Sequence, residues 1–172
     1  KALGTIDVAL VAHGTLPDQQ HSETDIPYTI AEFRTNAESV IACLVGLAGR
    51  FETQGKGVMA VIGSVAGDRG RASNYLYGAA KAAIDTYAAG LRVRLFKRGV
   101  HVLTIKPGFV ATSMTADLNL PVRLTAAPES VARDIQRAIT KRRDILYTPW
   151  CWNWIMLIIR WIPAPIFNRM KF

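Results

Sequence analysis

The 172-residue chain lacks most marks of a secreted, zinc-bound or membrane-spanning protein. Its two cysteines, Cys43 and Cys151, lie far apart with no CxxC or CxxxH pattern around either, which argues against a disulfide framework or a structural zinc site. No Asn-x-Ser/Thr sequon occurs, and the first residues have no basic-apolar-small signal-peptide pattern, so a reducing cytoplasm is the expected setting. Zinc-finger spacing, RNA-recognition aromatics and a groove-reading basic helix are all missing, and no nucleic-acid partner is expected. A GxxxGxG turn is absent too: Gly55-Lys56-Gly57 lacks the third glycine and precedes a strand rather than a helix.

What is present fits a folded domain. Half of the residues are hydrophobic and a fifth are charged. The net charge of +8 is uneven: residues 1–91 hold seven Lys/Arg against nine Asp/Glu, and residues 92–172 hold fourteen against four. That asymmetry points to an anionic partner, either a lipid surface or a phosphorylated substrate.

Hydrophobic periodicity alternates strand and helix, the pattern of an α/β fold with a parallel sheet. Strands are predicted at 6–12, 58–62, 100–105 and 145–147. Helices are predicted over 28–53, 73–97 (with Ser73 as N-cap and Gly99 as stop) and 129–141, with Pro128 at the first helical position. Residues 17–27 read as a polar loop and 111–125 as a loop or lid. Residues 1–148 make one domain, and 149–172 form a Trp-rich amphipathic tail.

Ligands of open parallel sheets bind beyond the carboxyl ends of the strands. Three strand ends carry unusual chemistry here: Ala12-His13-Gly14, Ser64 and Pro107-Gly108. Thirteen residues after Ser64 comes Tyr77, with Lys81 one helical turn further on the same face. Tyr75 is no substitute, because Ala79 stands four residues beyond it.

Gly63-Ser64-Val65-Ala66-Gly67, Tyr77-Gly78-Ala79-Ala80-Lys81 and Pro107-Gly108-Phe109-Val110-Ala111-Thr112 together resemble the successive signatures of short-chain dehydrogenases. Asn36 matches the asparagine of the preceding helix in that family. The resemblance implies a Rossmann-like doubly wound parallel sheet, NAD or NADP as cofactor, and interconversion of a secondary alcohol and a ketone. A tyrosine near its ordinary pKa of about 10 is a poor base at neutral pH, and a neighbouring ammonium is expected to bring Tyr77 down. Ser64 is expected to hold the substrate oxygen. The resemblance further implies that Lys81 binds the cofactor ribose, Asn36 holds a relay water, and Pro107, Gly108 and Thr112 flank the nicotinamide. It adds backbone contact to the cofactor at Gly14.

Two departures stand out. Where the family has Asn-Asn-Ala-Gly, this chain has Val11-Ala12-His13-Gly14, and His13 reads equally as a substrate contact or a plain loop residue. The family's first three strands and Gly-rich turn are missing, so the chain reads as the C-terminal portion of the fold. Weak or absent cofactor binding and homo-oligomerisation through helices 28–53 and 73–97 are expected from that portion alone. A rival reading is a catalytically inert association module.

All four tryptophans fall within residues 150–161, with no charge from Trp150 to Ile159, followed by Arg160, Arg169 and Lys171. Ten uncharged residues are too few to span a bilayer. The tail suits a helix lying peripherally in a membrane interface, or one packed on the body or a partner. It resembles that of a membrane-associated branch of the family, which includes the decaprenylphosphoryl-ribose 2-keto reductase, and this implies a lipid-linked substrate. Arg69 and Arg71 read either as phosphate contacts or as a solvated loop.

Overall fold

The computed structural model describes residues 4–170; Lys171 of the basic tail lies outside them. Strands β1 (Val8–Val11), β2 (Gly57–Ile62), β3 (Val100–Pro107) and β6 (Ile145–Thr148) form one all-parallel sheet in the order β1-β2-β3-β6. Helices cover both of its faces. On β2 and β3, Met59, Val61, Val100 and Val102 point to one side, where they pack with helices α3 (Ser39–Gln54) and α4 (Tyr75–Phe96) through Val40, Leu44, Ala48, Phe51, Ile84, Ala88, Leu91 and Leu95. Ala60, Leu103, Ile105 and Leu146 point to the other, under Ala138, Ile135 and Ile139 of α5 (Pro128–Thr140). Strands buried on both faces need apolar residues at nearly every position, hence the continuous runs Val58–Ile62 and Val100–Ile105. β1 is an edge strand, and its Val8 and Leu10 stand half-exposed.

Several predicted boundaries move. The first strand is four residues long rather than seven. The polar stretch 17–27 holds α1 (Gln19–Ser22) and the start of α2 (Ile26–Phe33), because Asp18 and Asp25 accept from the backbone N–H groups of His21 and Tyr28 as N-caps. The helix expected over 28–53 is α2 and α3 joined by a π-helical turn, Arg34–Glu38. Ser73 is not the cap of α4. Asn74 occupies that position without a side-chain cap bond, and the buried Gln19 accepts from the Leu76 N–H instead (3.1 Å). The presumed lid at 111–125 contains two 3₁₀ turns, and its ends pair as the short parallel strands β4 (Phe109–Val110) and β5 (Thr125–Ala126).

The tail folds onto the body. Helix α6 (Cys151–Trp161) buries Trp152 and Met156 against Val65, Phe109 and Leu124, and α7 (Ala164–Phe167) buries Phe167. The opposite face of α6 leaves Trp150, Trp154, Ile158 and Trp161 exposed. Arg69 is neither solvated nor free for phosphate. Its guanidinium donates to the carbonyls of Ile159 (2.5 Å) and Ile162 (2.6 Å), capping α6, and stacks 3.7 Å over the Phe167 ring. Arg71 lies partly buried, with one N–H directed to the Met156 sulfur (3.3 Å). Cys43 and Cys151 are free thiols.

Candidate active site

Ser64, Tyr77 and Lys81 converge where β2 meets α4. Ser64 leaves the end of β2 in extended conformation, and its hydroxyl oxygen accepts from the Ala66 N–H (3.1 Å), which bends the chain into the turn Val65–Asp68. That loop lies flush on α4. A Cβ placed on Gly78 would stand 2.8 Å from the Ala66 carbonyl oxygen, so the small residue after Tyr77 is what lets the loop approach. Tyr77 sits in the first turn of α4, and Lys81 follows on the same face with its ammonium 5.4 Å from the Tyr77 ring centroid.

Burial raises the Tyr77 phenol above its ordinary value, and a hydrogen bond from Ser64 pulls partly in the other direction. The sequence pairing alone suggested a lowered value. The ammonium lies beside the ring rather than at the hydroxyl, and desolvation wins. Lys81 is itself pushed down to about 8, chiefly by burial, with the charge of Asp85 opposing.

The π-helical turn brings Asn36 to the same place. Such turns insert one extra residue into a helix and re-aim a side chain inward. Asn36 is buried; its Oδ1 accepts from the Thr15 N–H (3.0 Å), and its Nδ2 donates to Thr15 Oγ1 (2.8 Å) and the Glu32 carbonyl (3.1 Å). Between Asn36 and Lys81 lies Gly14, where a Cβ would stand 2.9 Å from Asn36 Oδ1 and 3.4 Å from Lys81 Nζ. Among the described residues Lys81 Nζ makes one long hydrogen bond, to the Ile62 carbonyl (3.3 Å), which leaves it further donor capacity. A buried ammonium with N–H groups left over offers the cationic donors that a sugar diol accepts from.

The other expected site residues lie on neighbouring elements. His13 is exposed and shares a hydrogen bond with Ser39 (2.8 Å), which ties it to α3 rather than to the triad. Pro107 ends β3. Gly108 lies directly under the Trp152 indole, where a Cβ would meet Nε1 at 1.9 Å. Thr112 is exposed and forms a capping box with Thr115. Sequence reading missed Thr15 and Glu32, which hold Asn36, and the buried charges Asp68, Asp85 and Lys106 beside Lys81. The position of Asp85, one turn beyond Lys81, was the available signal.

Comparison with known proteins gives a consistent result. The short chain dehydrogenase family model matches residues 1–122. An uncharacterised oxidoreductase of Mycobacterium tuberculosis is 36% identical over 167 residues, covering 97% of this chain and 67% of the relative. Another from Streptomyces coelicolor is 29% identical over 169 residues, covering 98% and 66%. The chain thus spans about two thirds of the length of these relatives. Among solved structures, a short chain dehydrogenase from Burkholderia cenocepacia in complex with NADP superposes with TM-score 0.83 at 19% identity, over 95% of this chain and 68% of that one. The serine-ending strand, the Tyr77–Lys81 pair and the doubly covered parallel sheet converge with the matched family model: the chain belongs to the short-chain dehydrogenase family of oxidoreductases.

Proposed function

We propose that the chain carries the catalytic face of an NAD(P)-dependent oxidoreductase that interconverts a secondary alcohol and a ketone. The observation that carries this reading is the convergence of Ser64, Tyr77 and Lys81 on one end of the sheet, with Gly14 packed closely between Asn36 and Lys81. NAD or NADP, when bound, supplies or accepts the hydride. Lys81 would hold the ribose nearest the nicotinamide through the N–H groups it does not spend on the Ile62 carbonyl. Gly14 would meet the cofactor through its backbone, and Pro107, Gly108 and Thr112 would flank the nicotinamide.

Ser64 donates a hydrogen bond to the substrate oxygen, which fixes the reacting carbon. Tyr77 Oη gives its proton to that oxygen during reduction and takes it back during oxidation. Burial holds the Tyr77 phenol above its ordinary value, so at neutral pH it carries the proton that the reduction requires. Asn36, fixed by Thr15 and Glu32, orders the water that resupplies the proton.

The likeness of the Trp-rich tail to that of the membrane-associated branch favours a substrate with an apolar portion, such as a lipid-linked sugar ketone. The exposed Trp150, Trp154, Ile158 and Trp161, with Arg160, suit peripheral contact with an anionic lipid surface. Exposed Val45 on α3, with Val93 and Phe96 on α4, favours self-association of two copies.

The test is single-turnover transfer of deuterium from 4-deuterated NADPH or NADH to a vicinal diketone, scored by mass spectrometry. Native protein transfers label, and Tyr77→Phe loses at least about 100-fold. Equal transfer by Tyr77→Phe overturns the reading. No transfer at all, together with retained self-association, supports the inert module instead.

A further inference from the structure

Beside the catalytic pair lies a buried charge cluster that the proposed reaction leaves unused. Asp85 stands one turn beyond Lys81 on α4 with its carboxylate pressed under the serine loop. A Cβ on Gly63 would lie 2.5 Å from Asp85 Oδ1, and one on Gly67 would lie 2.9 Å from Oδ2. Lys106, at the C-terminal end of β3, places its ammonium 2.9 Å from Asp85 Oδ2 and against Asp68 Oδ1, at the far end of the same loop. Tyr147 on β6 donates to the other Asp68 oxygen (2.8 Å). The side chains of Asp68, Lys106 and Asp85 are 2%, 10% and 14% exposed, so water screens these charges little.

The cluster does not balance by itself. Asp68 is satisfied by Lys106 and Tyr147, whereas neither Asp85 oxygen has a well-aligned hydrogen bond among the described residues. Two carboxylates share one ammonium, and the next cation is Lys81, one turn back on the helix, whose ammonium bonds the Ile62 carbonyl (3.3 Å) beside the Gly63 that Asp85 Oδ1 presses on.

We infer that Asp85 is a positioning residue for Lys81, holding the catalytic ammonium in its charged form, and that Lys106 keeps Asp85 ionised for that purpose. The functional meaning rests on the proposed role of Lys81; the coupling of charges stands apart from it. Burial pushes Lys81 down to about 8, and the Asp85 charge is the force acting against it. Burial pushes Asp85 up to about 6, with Lys106 the largest opposing influence. Facing Asp85 are Lys106 from β3, Asp68 from the serine loop, and Lys81 and Arg92 on its own helix. The three cations favour the carboxylate and Asp68 disfavours it. With Lys106 in place the cations prevail at neutral pH, and Lys81 stays protonated where Tyr77 must return its proton.

The experiment is an NMR titration of the Lys81 side chain through its 13Cε shift, assigned by its loss in Lys81→Arg. Native protein titrates near 8. Asp85→Asn, isosteric and neutral, lowers the midpoint by about one pH unit, and Asp85→Glu restores it. Lys106→Met leaves the two carboxylates to share a proton and moves Lys81 in the same direction, which provides a second reading should Asp85→Asn not fold. Asp144→Asn, at an exposed site, changes nothing. A Lys81 midpoint unmoved in both Asp85→Asn and Lys106→Met overturns the inference. A moved midpoint with unaltered deuterium transfer overturns the role given to Lys81 and leaves the coupling intact.

Discussion

Lys81 is a buried ammonium, 2% exposed, whose one hydrogen bond among the described residues is the long contact to the Ile62 carbonyl. Replacing it by methionine, of similar length and apolar, is therefore expected to stabilise the fold while removing function. The drop from 10.5 to about 8 spans two and a half pH units, which at about 1.4 kcal/mol each is about 3.5 kcal/mol. A folded-state value below the unfolded one contributes stability above pH 10.5, and that stability is lost as the pH falls through about 8. At pH 7 the native chain thus bears nearly the whole cost. Leaving the Ile62 carbonyl without its donor costs the variant about 1 kcal/mol. The net expectation for Lys81→Met is a gain of about 2 kcal/mol at pH 7, shrinking below about 1 kcal/mol at pH 9.5 as native Lys81 deprotonates. Urea denaturation at the two pH values measures it through the midpoint at constant m. A variant less stable than native at pH 7, or a difference that ignores pH, would refute the reasoning. On the proposed function, Lys81 is held at a stability cost for its role in the reaction.

Three further perturbations probe the site and the tail. Gly108→Ala sets a methyl group into the Trp152 indole and should cost about 2 kcal/mol, with tryptophan fluorescence shifting to the red as α6 lifts. Arg69→Met removes the cap and the ring contact that tie down α6 and α7; a loss of about 2 kcal/mol is expected, with proteolysis appearing near Ile162. NADPH should saturate the 172-residue chain only weakly, because no Gly-rich turn is present to hold the pyrophosphate; fluorescence titration showing micromolar binding would contradict this.

The sheet and its helices were legible because strands buried on both faces must be apolar throughout, and α4 repeats Ala80, Ile84, Ala88, Leu91 and Leu95 at helical spacing. Ser64, Tyr77 and Lys81 were legible because their spacing is tied to a strand end and one helix face. The π-helical turn was not, since Arg34–Glu38 continues the helical composition on either side and the extra residue leaves no mark in it. Nor was Gln19 as the cap of α4, a partner 57 residues away. The charge cluster stayed hidden because Asp68, Asp85 and Lys106 lie on three elements that meet only in the folded chain. In the tail, composition alone left packing and membrane contact open. The two-faced helix that buries Trp152 while exposing Trp154 explains why both readings fitted.

Whether Gly14, Asn36 and Lys81 form the nicotinamide-side cofactor site can be measured without the pyrophosphate half. Titrating 15N-labelled protein with reduced nicotinamide mononucleotide and following backbone amide shifts is the direct experiment. Saturable shifts confined to Gly14, Thr15, Asn36, Ser64 and Lys81, abolished in Lys81→Met, are expected. Shifts scattered over the surface, or a response that survives Lys81→Met unchanged, would contradict the assignment of this site.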